Sequence, residues 1–378
     1  MKILYLCSSR YPTEKAYGVT IGNTFQKLKE TDHDSEIVVW GKPIQDIYGN
    51  KILTIASHPI RLTTHFYSCK IPKISEIAFV INQLIFGVYF FFTWSNKKEE
   101  TILWTREPLT LIPHSLFSKN TQYLIELHHP ASKLSQRIIQ FLCKKHNVKI
   151  IVLSEKSAQY HSKIFTKLPI SVIPMGVPEK FFQSTDTKNS DLFTVGYIGK
   201  GKSSGNDNLL YEVIHAAKIL QSQLKIKYKF IGLEKDYKEK MISMLKDLEV
   251  ESDYFIFVDH VDHNKIPGEL GAFDVGLLPY GESKYNAERF PIKLLEYSAA
   301  GLPIIATDTL VHRDLLNQEF TQFYSKDDPN ELAEAITKIK IKSEESQAMS
   351  ESARKFAKKF TYDERVRKLL ALIERVDK

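Results

Sequence analysis

Cysteine is scarce in this chain. Cys7, Cys69 and Cys143 stand far apart among 378 residues, odd in number and without a Cys-x-x-Cys spacing. That argues against a zinc site or a redox pair and suits a reducing cytoplasm. A leader peptide is also missing from the expected pattern, because the first apolar run, Met1 to Cys7, reaches the polar Ser8-Ser9-Arg10 at once. It reads as a buried strand instead. No low-complexity tract or short-period repeat is visible. Long apolar runs are limited to Ile77 to Trp94, IAFVINQLIFGVYFFFTW, flanked by Lys70 and Lys73 on one side and Lys97 and Lys98 on the other. This lies near the lower limit for a spanning helix. Asn82 and Gln83 in its middle, and the lack of a second such run, favour a helix buried against a sheet or a contact lying on a membrane surface.

Acidic residues are few in the first half. Residues 1–180 hold 23 Lys and Arg against 13 Asp and Glu, a net of +10, whereas residues 181–378 hold 29 against 32, a net of −3. Such an asymmetry fits an anionic partner, whether a membrane surface, a lipid-phosphate acceptor or nucleic acid; the plainer reading is a scattered solvated surface. No nucleic-acid motif accompanies the charge, and the aromatics near 86–94 are too densely apolar to stack bases. A chain of this length exceeds what one core usually supports, so two domains are expected.

Short apolar runs alternate with longer helical patterns, the signature of βαβ units. Strands are predicted at 2–7, 36–40, 101–105, 123–127, 149–153 and 171–173, with helices at 19–30, 74–94, 135–146 and 155–163. The polar stretch Pro174 to Asp191 reads as an interdomain linker. The pattern restarts with strands at 193–198, 228–231, 254–258, 275–279 and 303–306 and helices at 208–221, 235–248, 291–300 and 331–340. A charged helix at 363–376 closes the chain. The fold class is therefore α/β, with two Rossmann-like doubly wound domains at 1–177 and 178–360 facing across a cleft, and a tail at 361–378 packing back on the first. In such sheets ligands sit beyond the carboxyl ends of the strands.

The most informative segment runs from Glu288 to Gly301, ERFPIKLLEYSAAG. Pro291 suits the first helical position and Gly301 the left-handed residue past the end. Glu288 falls before the helix and Glu296 inside it. The backbone N–H groups near Ile292 and Lys293, at the positive end of the helix dipole, suit a phosphate, and Lys293 adds a full charge. A carboxylate such as Glu296 can accept two hydroxyl hydrogen bonds from a ribose. The competing reading is an ordinary helix with solvated glutamates.

Pro-x-Lys-x-x-Glu-Tyr-x-Ala-x-Gly-x-Pro, with one Glu seven residues before the other, resembles the Glu-x7-Glu donor motif of glycosyltransferase family 4, glycosyl transferases group 1, which has the GT-B fold. Further landmarks occur in the family's order. They are a Gly-containing loop at Tyr17-Gly18-Val19, then Glu126-Leu127-His128, Val172 to Val177, Val195-Gly196-Tyr197-Ile198-Gly199-Lys200, and the closing Phe360-Thr361-Tyr362-Asp363. Together they span nearly the whole chain.

The resemblance implies that Glu296 binds the ribose, that Glu288 contacts the sugar near the reacting carbon, and that Phe290, Pro291, Ile292 and Lys293 complete the donor seat. Gly18 and Val19 would let the backbone approach the diphosphate. His128 would sit over the sugar, with His129 as the obvious alternative. His260 and Tyr280 belong to the region where the family lines its nucleobase pocket. The family places Arg after the glycine equivalent to Gly199 and a Lys-Gly pair before the next helix. Here Lys200 and Ser204-Gly205 stand there, so Lys200 and Lys202, or Lys293, carry the phosphate charge without arginine's bidentate fork.

No metal or other cofactor is expected. Asp32-His33-Asp34 imitates the Asp-x-Asp metal motif of another glycosyltransferase fold but falls in a turn, and the ligand-rich Asp259 to His263 follows a strand of the second domain. The implied activity is a metal-independent, retaining hexosyl transfer from a nucleotide-sugar. The acceptor would be a glycan or lipid-linked saccharide in cell-surface polysaccharide biosynthesis, contacted by Arg106. The implied setting is cytoplasmic, peripheral at the inner face of an anionic membrane. A nucleotide-sugar epimerase and a non-catalytic sugar-nucleotide-binding subunit are the competing readings, since fold does not fix chemistry.

Overall fold

Alternation along the first strand sets up both faces of the first sheet. In β1 (Lys2–Cys7), Leu4 and Leu6 enter one core while Ile3, Tyr5 and Cys7 enter the other. This is the period of two that a strand covered on both sides requires. The computed structural model describes residues 1–9, 11–13, 16–40, 46–55, 72–94, 100–118, 121–183, 192–203, 206–281, 291–341 and 343–374.

After β1 come α1 (Ala16–Leu28), β2 (Asp34–Trp40), β3 (Ile52–Ile55), α2 (Pro72–Trp94), β4 (Thr101–Thr105), α3 (Ile112–Phe117), β5 (Gln122–Leu127), α4 (Lys133–Cys143), β6 (Asn147–Val152), α5 (Glu155–Ile164) and β7 (Ile170–Val172). The strands form one parallel sheet in the order β3-β2-β1-β4-β5-β6-β7. The order reverses between β1 and β4, the doubly wound arrangement.

The second series is β8 (Phe193–Ile198), the hairpin β9 (Lys202–Ser203) and β10 (Asn206–Asp207), α6 (Tyr211–Leu220), β11 (Ile226–Ile231), α7 (Lys235–Asp247), β12 (Phe255–Val258), α8 (Ile266–Leu270) and β13 (Val275–Leu278). Then follow α9 (Ile292–Ala300), β14 (Ile304–Thr307), α10 (Leu310–Leu315), β15 (Thr321–Tyr324), α11 (Pro329–Ile341), α12 (Ser343–Ala357) and α13 (Tyr362–Ile373). Its parallel sheet has the order β12-β11-β8-β13-β14-β15, again with one reversal, between β8 and β13.

Two compact units result: Met1–Gly176 with Tyr362–Lys378, and Val177–Thr361. The chain leaves the first at Gly176 and returns at Tyr362, whose ring lies where a side chain on Gly176 would sit. The return helix α13 packs on α1 and delivers Val366, Leu369 and Ile373 to the core beneath it.

Several expectations need correction. The edge strands β3 and β15, the helix α12, the short helices α3, α8 and α10 and the β9–β10 hairpin have no counterpart in the predicted elements. The first two are four residues long, and α12 is mostly polar, with Met349, Ala353 and Ala357 buried among its described residues. The stretch expected as a linker is partly built into the second unit: Val177 N–H donates to the Phe360 carbonyl, and Phe181 is fully buried. Residues 184–191 lie outside the described residues. Asp34 of the Asp-x-Asp look-alike starts β2 and is neutralised by Lys2 at 2.9 Å and Lys51 at 3.2 Å.

The apolar run of α2 supports the sheet along one side. Ala78, Phe86, Phe90 and Trp94 are buried, and Asn82 Nδ2 donates to the Ser8 carbonyl at 3.1 Å. Gly87 permits the close approach, since a Cβ there would meet the Thr110 carbonyl oxygen at 2.4 Å.

Candidate active site

Helix α9 is bounded as its sequence directs, one residue later than expected: Pro291 is the N-cap and Ile292 the first helical residue. Gly301 ends the helix at φ 77°, the left-handed region that glycine enters without strain. Leu294, Leu295 and Ala299 are buried, while Ile292 is only partly so. The carbonyl end is capped from α12, where Arg354 donates to the Ala300 carbonyl at 2.7 Å and to the Phe182 carbonyl at 3.0 Å. A cation at that end also complements the helix dipole.

Glu296 lies one turn into this helix and is 1% exposed. Lys293 Nζ donates to its Oε2 at 2.7 Å, and His263 Nε2–H donates to its Oε1 at 2.8 Å. Burial opposes ionisation, but Lys293 and the His263 hydrogen bond outweigh it and hold the carboxyl down at about 2. His263 packs against the Phe181 ring, centroids 5.3 Å apart. Beside it, Lys180 donates to Asn264 Oδ1 at 2.6 Å. Partial burial lowers the Lys180 ammonium, against a raising influence from Glu296. A buried, ionised carboxylate thus sits near a helix N-terminus, attended by two lysines and a histidine.

Beyond the carboxyl end of β8, Lys200 is 69% exposed and meets Glu234 at 3.4 Å; Lys202, in β9, pairs with Asp236. Tyr297 of α9 closes the base of this loop, accepting a hydrogen bond from the Ile198 N–H at 2.9 Å. His260 is exposed on the loop that brings His263 inward, so the nearer histidine to Glu296 is His263. Tyr280 follows β13, its carbonyl accepting from the Thr307 hydroxyl at 2.6 Å. Glu288, Phe290, Ser204 and Gly205 lie outside the described residues.

In the first unit, Gly18 and Val19 occupy the first turn of α1 rather than a loop. A Cβ on Gly18 would strike the Thr13 carbonyl oxygen, so the glycine already serves a close backbone approach within the unit. Val19 is buried. His128 follows β5 and donates from Nε2 to Glu126 Oε1 at 2.5 Å. The same oxygen accepts from Arg365 at 2.8 Å and from Arg106 at 3.2 Å. Burial opposes the Glu126 charge, yet Arg365, Arg106 and His128 hold the carboxyl well below the usual range. Burial, and then Arg106, pushes His128 down to about 4, so its ring is neutral at pH 7. Arg106, assigned to the acceptor from sequence, is engaged as a counter-ion of Glu126.

Sequence reading missed the roles of His263, Lys180, Glu126 and Arg365. Two carried a signal: His263 in the ligand-rich run after β12, and Glu126 two residues before His128. Nothing near Arg365 in sequence marks it as the partner of a strand residue 239 positions away.

Residues 186–356 match the family described as Glycosyl transferases group 1. This part of the chain is similar to the group 1 glycosyl transferases. It carries the whole of α9 and its surroundings. Over 84 residues the chain is 29% identical to TuaH of Bacillus subtilis (strain 168), named as a teichuronic acid biosynthesis glycosyltransferase; that match spans 22% of this chain and 21% of TuaH. Among solved structures, sucrose-phosphate synthase from Thermosynechococcus elongatus superposes with a TM-score of 0.71 at 14% identity, covering 98% of each chain. Anabaena HepE in complex with UDP superposes with a TM-score of 0.70 at 14% identity, covering 100% of each. At such identities the likeness shows the fold, which is GT-B.

Proposed function

We propose that this protein is a retaining glycosyltransferase that moves a hexosyl group from a nucleoside-diphosphate sugar to a hydroxyl of a glycan or lipid-linked saccharide in cell-surface polysaccharide assembly. The observation that carries the reading is Glu296, buried yet ionised within the region similar to the group 1 glycosyl transferases, five residues after the Pro291 cap of a dipolar helix. An ionised carboxylate only accepts hydrogen bonds, so it suits the two hydroxyls of a ribose. Lys293 can then turn from Glu296 to the diphosphate, which the first N–H groups of α9 also favour. HepE, of the same fold, holds UDP. TuaH is named for teichuronic acid biosynthesis.

In this reading Lys293, Lys200 and Lys202 supply the positive charge without a metal. The exposed Lys200–Glu234 pair is weak enough to exchange for a phosphate. The bond from the anomeric carbon to the leaving phosphate breaks as the acceptor oxygen enters on the same face. The departing phosphate takes the acceptor proton, and preorganised donors stabilise its growing charge. Neutral His128, positioned by Glu126, is assigned to the sugar, Glu288 to the reacting carbon, and the first unit to the acceptor.

Turnover of a panel of nucleotide-sugars, with the product's anomeric configuration read by NMR, tests the proposal. Transfer with retention is expected, and an inverted product would contradict it. Donor isomerisation without an acceptor would point to an epimerase, and binding without turnover to a non-catalytic subunit.

A further inference from the structure

Helix α2 is apolar on two sides, and the sheet uses one. Opposite the buried residues, Ile77, Ile81, Leu84, Val88 and Phe92 recur at intervals of three and four, a single stripe along the helix. All are exposed, from 36% at Leu84 to 74% at Phe92. The patch continues onto α3, where Phe117 is 71% exposed and its ring meets Phe91 at 4.9 Å between centroids. A contiguous apolar surface of this kind marks a binding face.

The surface beside it is basic. Helix α4 packs against α3 and exposes Lys133 and Arg137. Lys144 and Lys145, exposed just past α4, adjoin His146, whose Nε2 bonds the Ser115 carbonyl at 3.0 Å, two residues before Phe117. Neither α3 nor residues 133–145 contain an Asp or Glu, and α2 has one, Glu76. The whole first unit holds 27 Lys and Arg against 16 Asp and Glu, net +11; the second holds 25 against 29, net −4.

We propose that this face of the first unit docks on an anionic lipid surface. The α2 stripe and Phe117 enter the boundary between headgroups and acyl chains, and Lys133, Arg137, Lys144 and Lys145 contact lipid phosphates. Charge selects this occupant. A second copy seated on the same face by a two-fold contact would bring two strongly positive units together, whereas anionic headgroups neutralise them. The helix lies on the surface and does not cross it, because Asn82, Phe86 and Phe90 are committed to the protein core.

Co-sedimentation of the full chain with phosphatidylglycerol–phosphatidylcholine vesicles, and with phosphatidylcholine alone, tests it at low and high salt. Binding should favour the anionic vesicles by about tenfold or more and weaken with salt. Val88→Glu with Phe92→Glu, at exposed positions and with an unchanged melting temperature, should cut binding about tenfold or more. Lys144→Glu with Lys145→Glu should reduce it most at low salt. Wild-type binding by the Val88→Glu, Phe92→Glu variant would overturn the proposal. So would a wild-type dimer that this variant dissociates, with no vesicle binding by either.

Discussion

His263 Nε2 stands 2.8 Å from Glu296 Oε1, and this contact joins the loop after β12 to helix α9. With Lys293 on the other oxygen, it keeps a fully buried carboxylate charged. The ion is therefore part of the stability of the unit as well as of its proposed chemistry.

Because the Glu296 carboxyl is held at about 2 in the fold, against an ordinary value of 4.5, its stabilisation is complete above about pH 4.5 and disappears as pH falls toward 2. The difference amounts to roughly 3 kcal/mol. Glu296→Gln should lower the urea midpoint at pH 7, and the gap to wild type should narrow progressively below pH 4.5. A gap that stays constant down to pH 2.5 would show that the charge is not what holds this site.

The Glu126 oxygen shared by Arg365, Arg106 and His128 predicts a large penalty for neutralising it. Glu126→Gln leaves two guanidinium groups facing a neutral amide and should cost about 3 kcal/mol or more in urea denaturation. His128 adds a separate pH dependence. Its folded value of about 4 lies below the ordinary 6.5, so the unfolded chain binds the proton more readily and wild-type stability falls as pH drops from 6.5 to 4. His128→Asn should flatten that part of the profile.

Arg354 ties the carbonyl end of α9 to Phe182, the neighbour of the ring that packs on His263. Arg354→Met should destabilise the protein by about 1–3 kcal/mol, the cost of leaving these carbonyls without a charged donor, with partial rescue by Lys. Gly301→Ala should do similar harm through its positive φ and its collision with the Arg354 guanidinium. Differential scanning calorimetry of the three variants would check both.

Much of the fold was legible in the sequence because parallel strands buried on both faces are short apolar runs, and Pro291 and Gly301 punctuate α9. The edge strands β3 and β15 were not, being four residues each with no longer pattern to mark them. Helix α12 hid behind a polar composition. For the site, the helix and Glu296 could be read locally, with the roles supplied by the family resemblance. The contacts that set the charge of Glu296 and Glu126 could not, since His263 lies 33 residues from Glu296 and Arg365 lies 239 from Glu126. Such pairs are made by topology and leave no periodic trace. The same holds for α2: its apolar run announced a buried or membrane-facing helix, and only packing showed which residues face which way.

The most direct test of the account is the affinity of the best-binding nucleoside diphosphate for wild type and Glu296→Gln, measured by isothermal titration calorimetry at pH 7 on protein shown to be folded. Loss of a charged acceptor for two hydroxyls predicts about a hundredfold weaker binding. Equal affinity of the two proteins would contradict the assignment of α9 as the nucleotide seat.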